Sequence, residues 1–385
     1  MIWRVSLLRN DGKEIPFNFR TTDSVGRPVL YVMNGKERLL VDSIRIKKDS
    51  VFIEMPFFDS HFALRFSGQR KLEGQWIKRY GHREVSLPCV ALGGVQERFP
   101  ASTPPAFNVS GRWAVQFSEN GSPLEESVGE FQQSGSSVTG TFLTTTGDYR
   151  FLEGVVDGDS LKLSTFDGGH AYAFTAKITD NKTLAGGNFY AGATSQETWT
   201  ATKDEKAALP DEYSITTLKD PAQANLNFRF KSTEGKWVSI KDSRFRHKVV
   251  IVQIMGSWCP NCMDETKFLS DYYKKNQHRG VEIIGLAYER TTSFEESKKS
   301  LQAFRNRFQV TYPFLISGVA VTDTLRTEKT LPQLNRLVGF PTTIFIDKMG
   351  RVRKISTGFN GPGTGDHYEI FEKEFNELVD GLLAE

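Results

Sequence analysis

The chain has 385 residues, 38% hydrophobic and 25% charged, with 49 Lys and Arg against 46 Asp and Glu for a formal charge of +3 at pH 7. That length predicts two or three domains. The balanced charge, with no basic run interleaved with aromatics, excludes a nucleic-acid binding strip, and apolar stretches no longer than a strand exclude a transmembrane helix.

Residues 1–100 read as a string of short strands. Met1 to Phe19 carries Arg4, Arg9, Asp11, Lys13 and Glu14 and already alternates like a strand, which is no signal peptide. Trp3, Val5 and Leu7 alternate with polar residues, as do Ile15, Phe17 and Phe19. Further strands are expected at 29–33, 39–46, 51–55, 62–66, 72–78 and 85–92, separated by turn residues such as Asn10-Asp11-Gly12 and Asn34-Gly35. The proline-bearing stretch from Phe99 to Pro105 reads as a linker.

Residues 107–202 repeat this organisation. Trp113-Ala114-Val115 echoes Trp3-Arg4-Val5, Phe166-Asp167 echoes Phe58-Asp59, and Leu184-Ala185-Gly186 echoes Leu72-Glu73-Gly74. A common offset of about 110 residues suggests internal duplication. Eight strands are expected here, at 111–118, 127–133, 137–144, 148–156, 159–166, 170–178, 182–190 and 195–202. The predicted form is an up-and-down meander closed into a barrel or flattened sandwich. Gly111-Arg112-Trp113 is similar to the Gly-x-Trp opening of lipocalin-type barrels.

Residues 1–100 hold 17 Lys and Arg against 11 Asp and Glu, and residues 107–202 hold 5 against 11. This contrast is either compositional drift or mutual attraction of the two halves. His61 and His170 sit beside Phe58-Asp59 and Phe166-Asp167; with no nucleophile near, turn structure is the preferred reading. Cys89 is expected as a buried free thiol.

Residues 203–224, polar and bearing Pro210 and Pro221, read as a second linker. From residue 225 strands alternate with helices. The β-branched run Val249-Val250-Ile251-Val252 leads to Trp258-Cys259-Pro260-Asn261-Cys262, and helical spacing follows in Phe268, Leu269, Tyr272 and Tyr273. A strand thus delivers two cysteines to a helix start, with Pro260 at the first helical position. The free N–H groups and the helix dipole there favour a thiolate at Cys259. Cys262, one turn on, is close enough to form a disulfide with it, so the pair is a candidate for thiol–disulfide exchange. A zinc half-site and a structural disulfide are the alternatives. Zinc lacks ligands, since the third cysteine is the distant Cys89, and no metal is expected.

Gly339-Phe340-Pro341-Thr342-Thr343 opens the strand Ile344-Phe345-Ile346-Asp347. With the cysteine motif this resembles the thioredoxin superfamily, and the run from Val281 to Leu383 looks like TlpA-type disulfide reductases. The carriers are Gly285 to Arg290, Gly339 to Asp347 and Gly358-Phe359-Asn360-Gly361-Pro362-Gly363-Thr364-Gly365. The resemblance covers about residues 225–385 and implies a C-terminal αβα thioredoxin-like domain behind the all-β duplicated modules. It implies a cis peptide at Phe340–Pro341 and catalytic Cys259 and Cys262. Trp258, Pro260, Phe340 and Pro341 would frame the substrate, which would add as an extended strand.

The implied function is a reductase of protein disulfides. It would use a redox-active disulfide and no other cofactor, take a protein thiol or disulfide as substrate, and draw on an electron-donating partner. The alternative is a partner- or ligand-binding β module carrying a vestigial or regulatory thioredoxin-like domain. The implied location is periplasmic, or membrane-anchored and extracytoplasmic, with a leader upstream of residue 1; cytoplasmic is the alternative. Thioredoxins place a buried acid six residues before the first cysteine, where this chain has Gln253. Glu289 is the candidate substitute proton relay, though a surface carboxylate at a strand end would be inert. A Thr-x-x-Cys arrangement for peroxidase action is absent from the sequence.

Overall fold

The computed structural model describes every residue except Val25, Gly81 and His82. The chain divides into two compact units, one of Met1–Thr144 with Tyr149–Leu209 and the other of Thr145–Asp148 with Pro210–Glu385.

The first unit holds two antiparallel nine-stranded sheets. In the first sheet every strand pairs with a chain neighbour, and the two edge strands, Glu37–Val41 and Ser43–Lys47, do not pair with each other. The first and last strands, Ile2–Leu8 and Arg83–Gly93, also pair. The stretch expected as one strand at 39–46 is split at Asp42, which makes those two edges consecutive in the chain. In the second sheet Gly111–Glu119 pairs with both Ser122–Ser134 and Ser195–Lys203. Pairing of Ser122–Ser134 with Ser137–Thr144, and of the latter with Leu152–Asp157, closes the expected meander into a barrel. The strand expected at 148–156 is also divided: a two-residue piece at Gly147–Asp148 is separated from Leu152–Asp157.

Alternation along these strands puts one side chain in two inward. The second barrel is filled by aromatics, with Phe174 stacked on Phe189 at 4.4 Å and Trp113 fully buried. The first sheet's core includes Phe166, Ala171, Ala173 and Tyr190 of the second sheet, and Phe166 stacks on Phe17 at 4.1 Å. The two sheets therefore share apolar packing.

Buried Arg98 meets Asn18 Oδ1 at 3.2 Å, the Ser164 carbonyl at 2.9 Å and Glu153 at 3.2 Å. Arg150 pairs with Glu37. These bridges run in both senses of charge, basic to acidic from each half. Asp167 accepts from the backbone N–H of Gly169 and His170 and lies 3.0 Å from His170 Nδ1. The pair belongs to a turn, as preferred from the sequence. Cys89 is buried and free, and burial pushes its thiol up to about 12.

The second unit is a seven-stranded mixed sheet with helices Pro260–Asn276, Phe294–Phe308 and Asp366–Ala384. Val249–Met255 runs parallel to Val281–Ala287 and antiparallel to Thr342–Ile346. All seven of its residues are buried, which explains a run apolar at every position but Gln253. This is the thioredoxin-like arrangement that the sequence implied. Residues within the stretch read as a linker join this sheet's edge: the Thr357 N–H donates to the Glu212 carbonyl, and Leu218 bridges to Leu334.

Candidate active site

The central strand ends at Met255, and Gly256-Ser257-Trp258 turns the chain into the helix that begins at Pro260. Cys259 is the helix cap. Its extended backbone lets Sγ accept the Cys262 N–H at 3.3 Å, and it lies 3.4 Å from the Phe340 carbonyl. A cap accepts one of the N–H groups that a helix start leaves unpaired. Cys262 is fully buried, and burial together with the neighbouring Cys259 sulfur raises its thiol well above its ordinary range. Both thiols are free.

The residues that the resemblance brought forward converge here. Phe340–Pro341 is cis. Trp258 meets the Phe340 ring edge-on at 5.5 Å, donates from Nε1 to the Tyr288 carbonyl at 2.9 Å, and lies under the Arg290 guanidinium at 5.3 Å. Pro260 occupies the first helical position.

Glu289 requires a correction. Expected as a surface carboxylate, it is 5% exposed. Its two oxygens accept from the Ser257 N–H at 2.8 Å and the Ser257 hydroxyl at 2.6 Å. Burial raises its carboxyl, and the Ser257 bonds oppose that only in part. Glu289 thus braces the turn that carries Trp258 and Cys259.

A second buried carboxylate, missed from the sequence, lies one helical turn beyond Cys262. Glu265 follows Cys262 by three positions on the inward face of the helix and is 2% exposed. Gln253 Nε2 donates to Glu265 Oε2 at 2.8 Å and to the Cys262 carbonyl at 3.3 Å, so one amide ties the carboxylate to the second cysteine. The Thr343 hydroxyl donates to Glu265 Oε1 at 2.5 Å, and Thr266 fixes the Gln253 carbonyl oxygen at 3.1 Å. Burial pushes Glu265 up to about 7, with Thr343 and Gln253 pulling the other way. Gln253 cannot titrate, but it hands the position to a group that does.

Among the described residues no cluster of three or more His, Cys, Asp or Glu could hold a metal ion. Among them, too, no helix is long and apolar enough to cross a membrane.

Residues 221–355 match the AhpC/TSA family. Over 133 residues the chain is 32% identical to the thiol-disulfide oxidoreductase ResA of Geobacillus thermodenitrificans, covering 34% of this chain and 66% of that one. The same-named protein of Halalkalibacterium halodurans is 26% identical over 168 residues, covering 43% and 81%. A solved thiol-disulfide isomerase from Corynebacterium glutamicum aligns at 20% identity with a TM-score of 0.33, over 43% of this chain and 99% of that one. The chain spans just under two thirds of the first relative's length. The thioredoxin-superfamily resemblance read from the sequence stands: residues 221–355 form a thioredoxin-fold domain that matches the AhpC/TSA family.

Proposed function

We propose that the chain is a thiol–disulfide oxidoreductase acting as a reductase of protein disulfides. The carrying observation is the buried chain Cys262–Gln253–Glu265 set behind a helix-capping Cys259. Cys259, as thiolate, attacks one sulfur of the substrate disulfide. A mixed disulfide forms, and the other substrate sulfur leaves as a thiolate that takes a proton from solvent. Cys262 then attacks Cys259 Sγ, which closes the Cys259–Cys262 disulfide and frees the second substrate thiol. The two electrons left on the substrate are restored to the domain by a donor thiol protein.

The second step needs a proton removed from a thiol that burial keeps neutral. A carboxyl poised near neutral pH suits that task, and Glu265 is held there by burial. Glu289 is bonded to Ser257 in the turn before Cys259, whereas Glu265 is bonded to the Gln253 amide that also holds the Cys262 carbonyl. Trp258, Pro260, Phe340 and Pro341 form the rim against which the substrate lies. An extracytoplasmic location fits this chemistry, and the duplicated β modules at 1–100 and 107–202 are assigned to positioning a partner.

Insulin reduction tests the reading. The full chain with a thiol donor should accelerate insulin precipitation, and Cys259→Ser should not. A wild-type chain without effect would leave a binding module as the better account.

A further inference from the structure

The second unit includes a four-residue segment far from the rest of it in sequence, Thr145–Asp148. It lies against the cysteine motif, the residue before Phe340 and the loop from Gly358 to Gly361. Asp148 Oδ2 accepts from Asn261 Nδ2, inside the cysteine motif, at 3.2 Å, and from the Gly361 N–H at 2.8 Å. A Cβ on Gly339, the residue before Phe340, would collide with Thr146 Cγ2. A Cβ on Gly358 would lie 2.9 Å from the Thr145 carbonyl oxygen, and one on Gly147 2.6 Å from Asn261 Oδ1. Gly358 is itself tied to the proline loop, since its N–H donates to the Pro341 carbonyl at 2.9 Å. At Gly358 the approach is to backbone and needs glycine, while Gly339 and Gly147 leave room for the Thr146 and Asn261 side chains.

Gly339, Pro341 and Gly361 are buried, and Cys259 and Phe340 are only 4% and 9% exposed. A nucleophilic thiol must meet a disulfide along its S–S axis, with room for the chain on both sides. We infer that Thr145–Asp148 is an internal strap occupying the groove of the dithiol, so that a protein substrate displaces it in order to react. Against these loops it is held in part by two hydrogen bonds accepted by one carboxylate and by glycine-permitted contact. The strap selects for a substrate presenting an extended polypeptide segment around its disulfide, one able to take over those same contacts. This rests on the reading of Cys259 as the attacking thiol.

The test uses the full reduced chain and three variants, Asp148→Ala, Gly339→Ala and Thr146→Gly. Asp148→Ala removes both hydrogen bonds. Gly339→Ala pushes a methyl into Thr146, and Thr146→Gly deletes the side chain that reaches Gly339. Native-state alkylation of Cys259 by iodoacetamide is followed by peptide mass spectrometry, with buried Cys89 as the monitor of fold. Loss of a carboxylate's hydrogen bonds should speed Cys259 labelling about tenfold in Asp148→Ala, with smaller rises in the other two and Cys89 silent. Any variant in which Cys89 labels is set aside for the remaining ones. Labelling at the wild-type rate in the folded variants overturns the strap. Labelling needs no turnover, so the outcomes separate: faster labelling without insulin reduction in any form supports the strap and removes the reductase reading. Unchanged labelling with active wild type does the reverse.

Discussion

The two units bury charge in different ways. In the first, Arg98 is 4% exposed but answered by Glu153 and by oxygens of Asn18 and Ser164. Burial of Asp167 works against its ionisation, yet His170, Arg150 and backbone donors hold its carboxyl down to about 2. In the second unit, Glu265 and Glu289 are as deeply buried and are hydrogen-bonded by neutral donors (Thr343, Gln253 and Ser257), with Arg290 offsetting the burial of Glu289 only in part. Both are raised. Asp347 is a control within the same unit: its side chain is 2% exposed, but Arg351 and Arg353 face it and its carboxyl is lowered. Burial alone therefore does not decide the protonation state. Burial, met only by the neutral Thr343 and Gln253, leaves Glu265 able to exchange a proton near neutral pH, and that property marks the site.

The contrast is broken most severely by removing the sulfur. Cys259→Ser should abolish insulin reduction, whereas Cys89→Ser, in the first unit, should leave it unchanged. Next comes the carboxylate. With wild type, the resolving step should quicken as pH rises through about 7, where Glu265 loses its proton. Glu265→Gln should lose that limb and slow the reaction about a hundredfold above it, while Glu289→Gln keeps the limb.

Stability sharpens the comparison further. Glu265 titrates at about 7 in the folded chain against 4.5 ordinarily. The folded state thus holds a proton that the unfolded state has released, and the second unit loses stability as pH rises from about 4.5 to 7. Glu265→Gln should remove that slope, gaining about 3 kcal/mol relative to wild type at pH 8 compared with pH 4. Asp167 has the opposite sign, since its folded value of about 2 lies below 3.8. Its contribution is present above pH 3.8 and lost as pH falls toward 2. Asp167→Asn should therefore cost the first unit about 2 kcal/mol at neutral pH and nothing at pH 2. Urea unfolding at several pH values, followed separately for the two units, reads both slopes.

Local pattern made much of this legible in the sequence. The Trp-Cys-Pro-Asn-Cys run between an apolar strand and a helix is a short-range arrangement, and so are the alternating strands with their turn residues. Where the pattern failed, the cause was tertiary. Asp42 divides one expected strand into two sheet edges, and the strand expected at 148–156 loses Asp148 to the other unit and resumes only at Leu152. Phe166, at the end of a strand of the second sheet, packs on Phe17 of the first, a contact that no local pattern carries. Glu265 stood next to Asp264 in a polar helix start, and only its place one turn beyond Cys262 pointed inward. Gln253 held the better signal: a lone amide in the run Val249–Met255 needs a buried polar partner. Glu289 was misplaced because a strand end ordinarily meets solvent, whereas here Ser257 folds over it.

The central claim is that Cys259 attacks and Cys262 resolves, and trapping tests it most directly. Reduced Cys262→Ser chain is mixed with insulin, quenched with acid and digested for mass spectrometry. The account predicts a mixed disulfide between Cys259 and an insulin cysteine that persists in this variant and is absent in Cys259→Ser. An adduct carried on Cys89, or none while Cys262→Ser still reduces insulin at the wild-type rate, would contradict it.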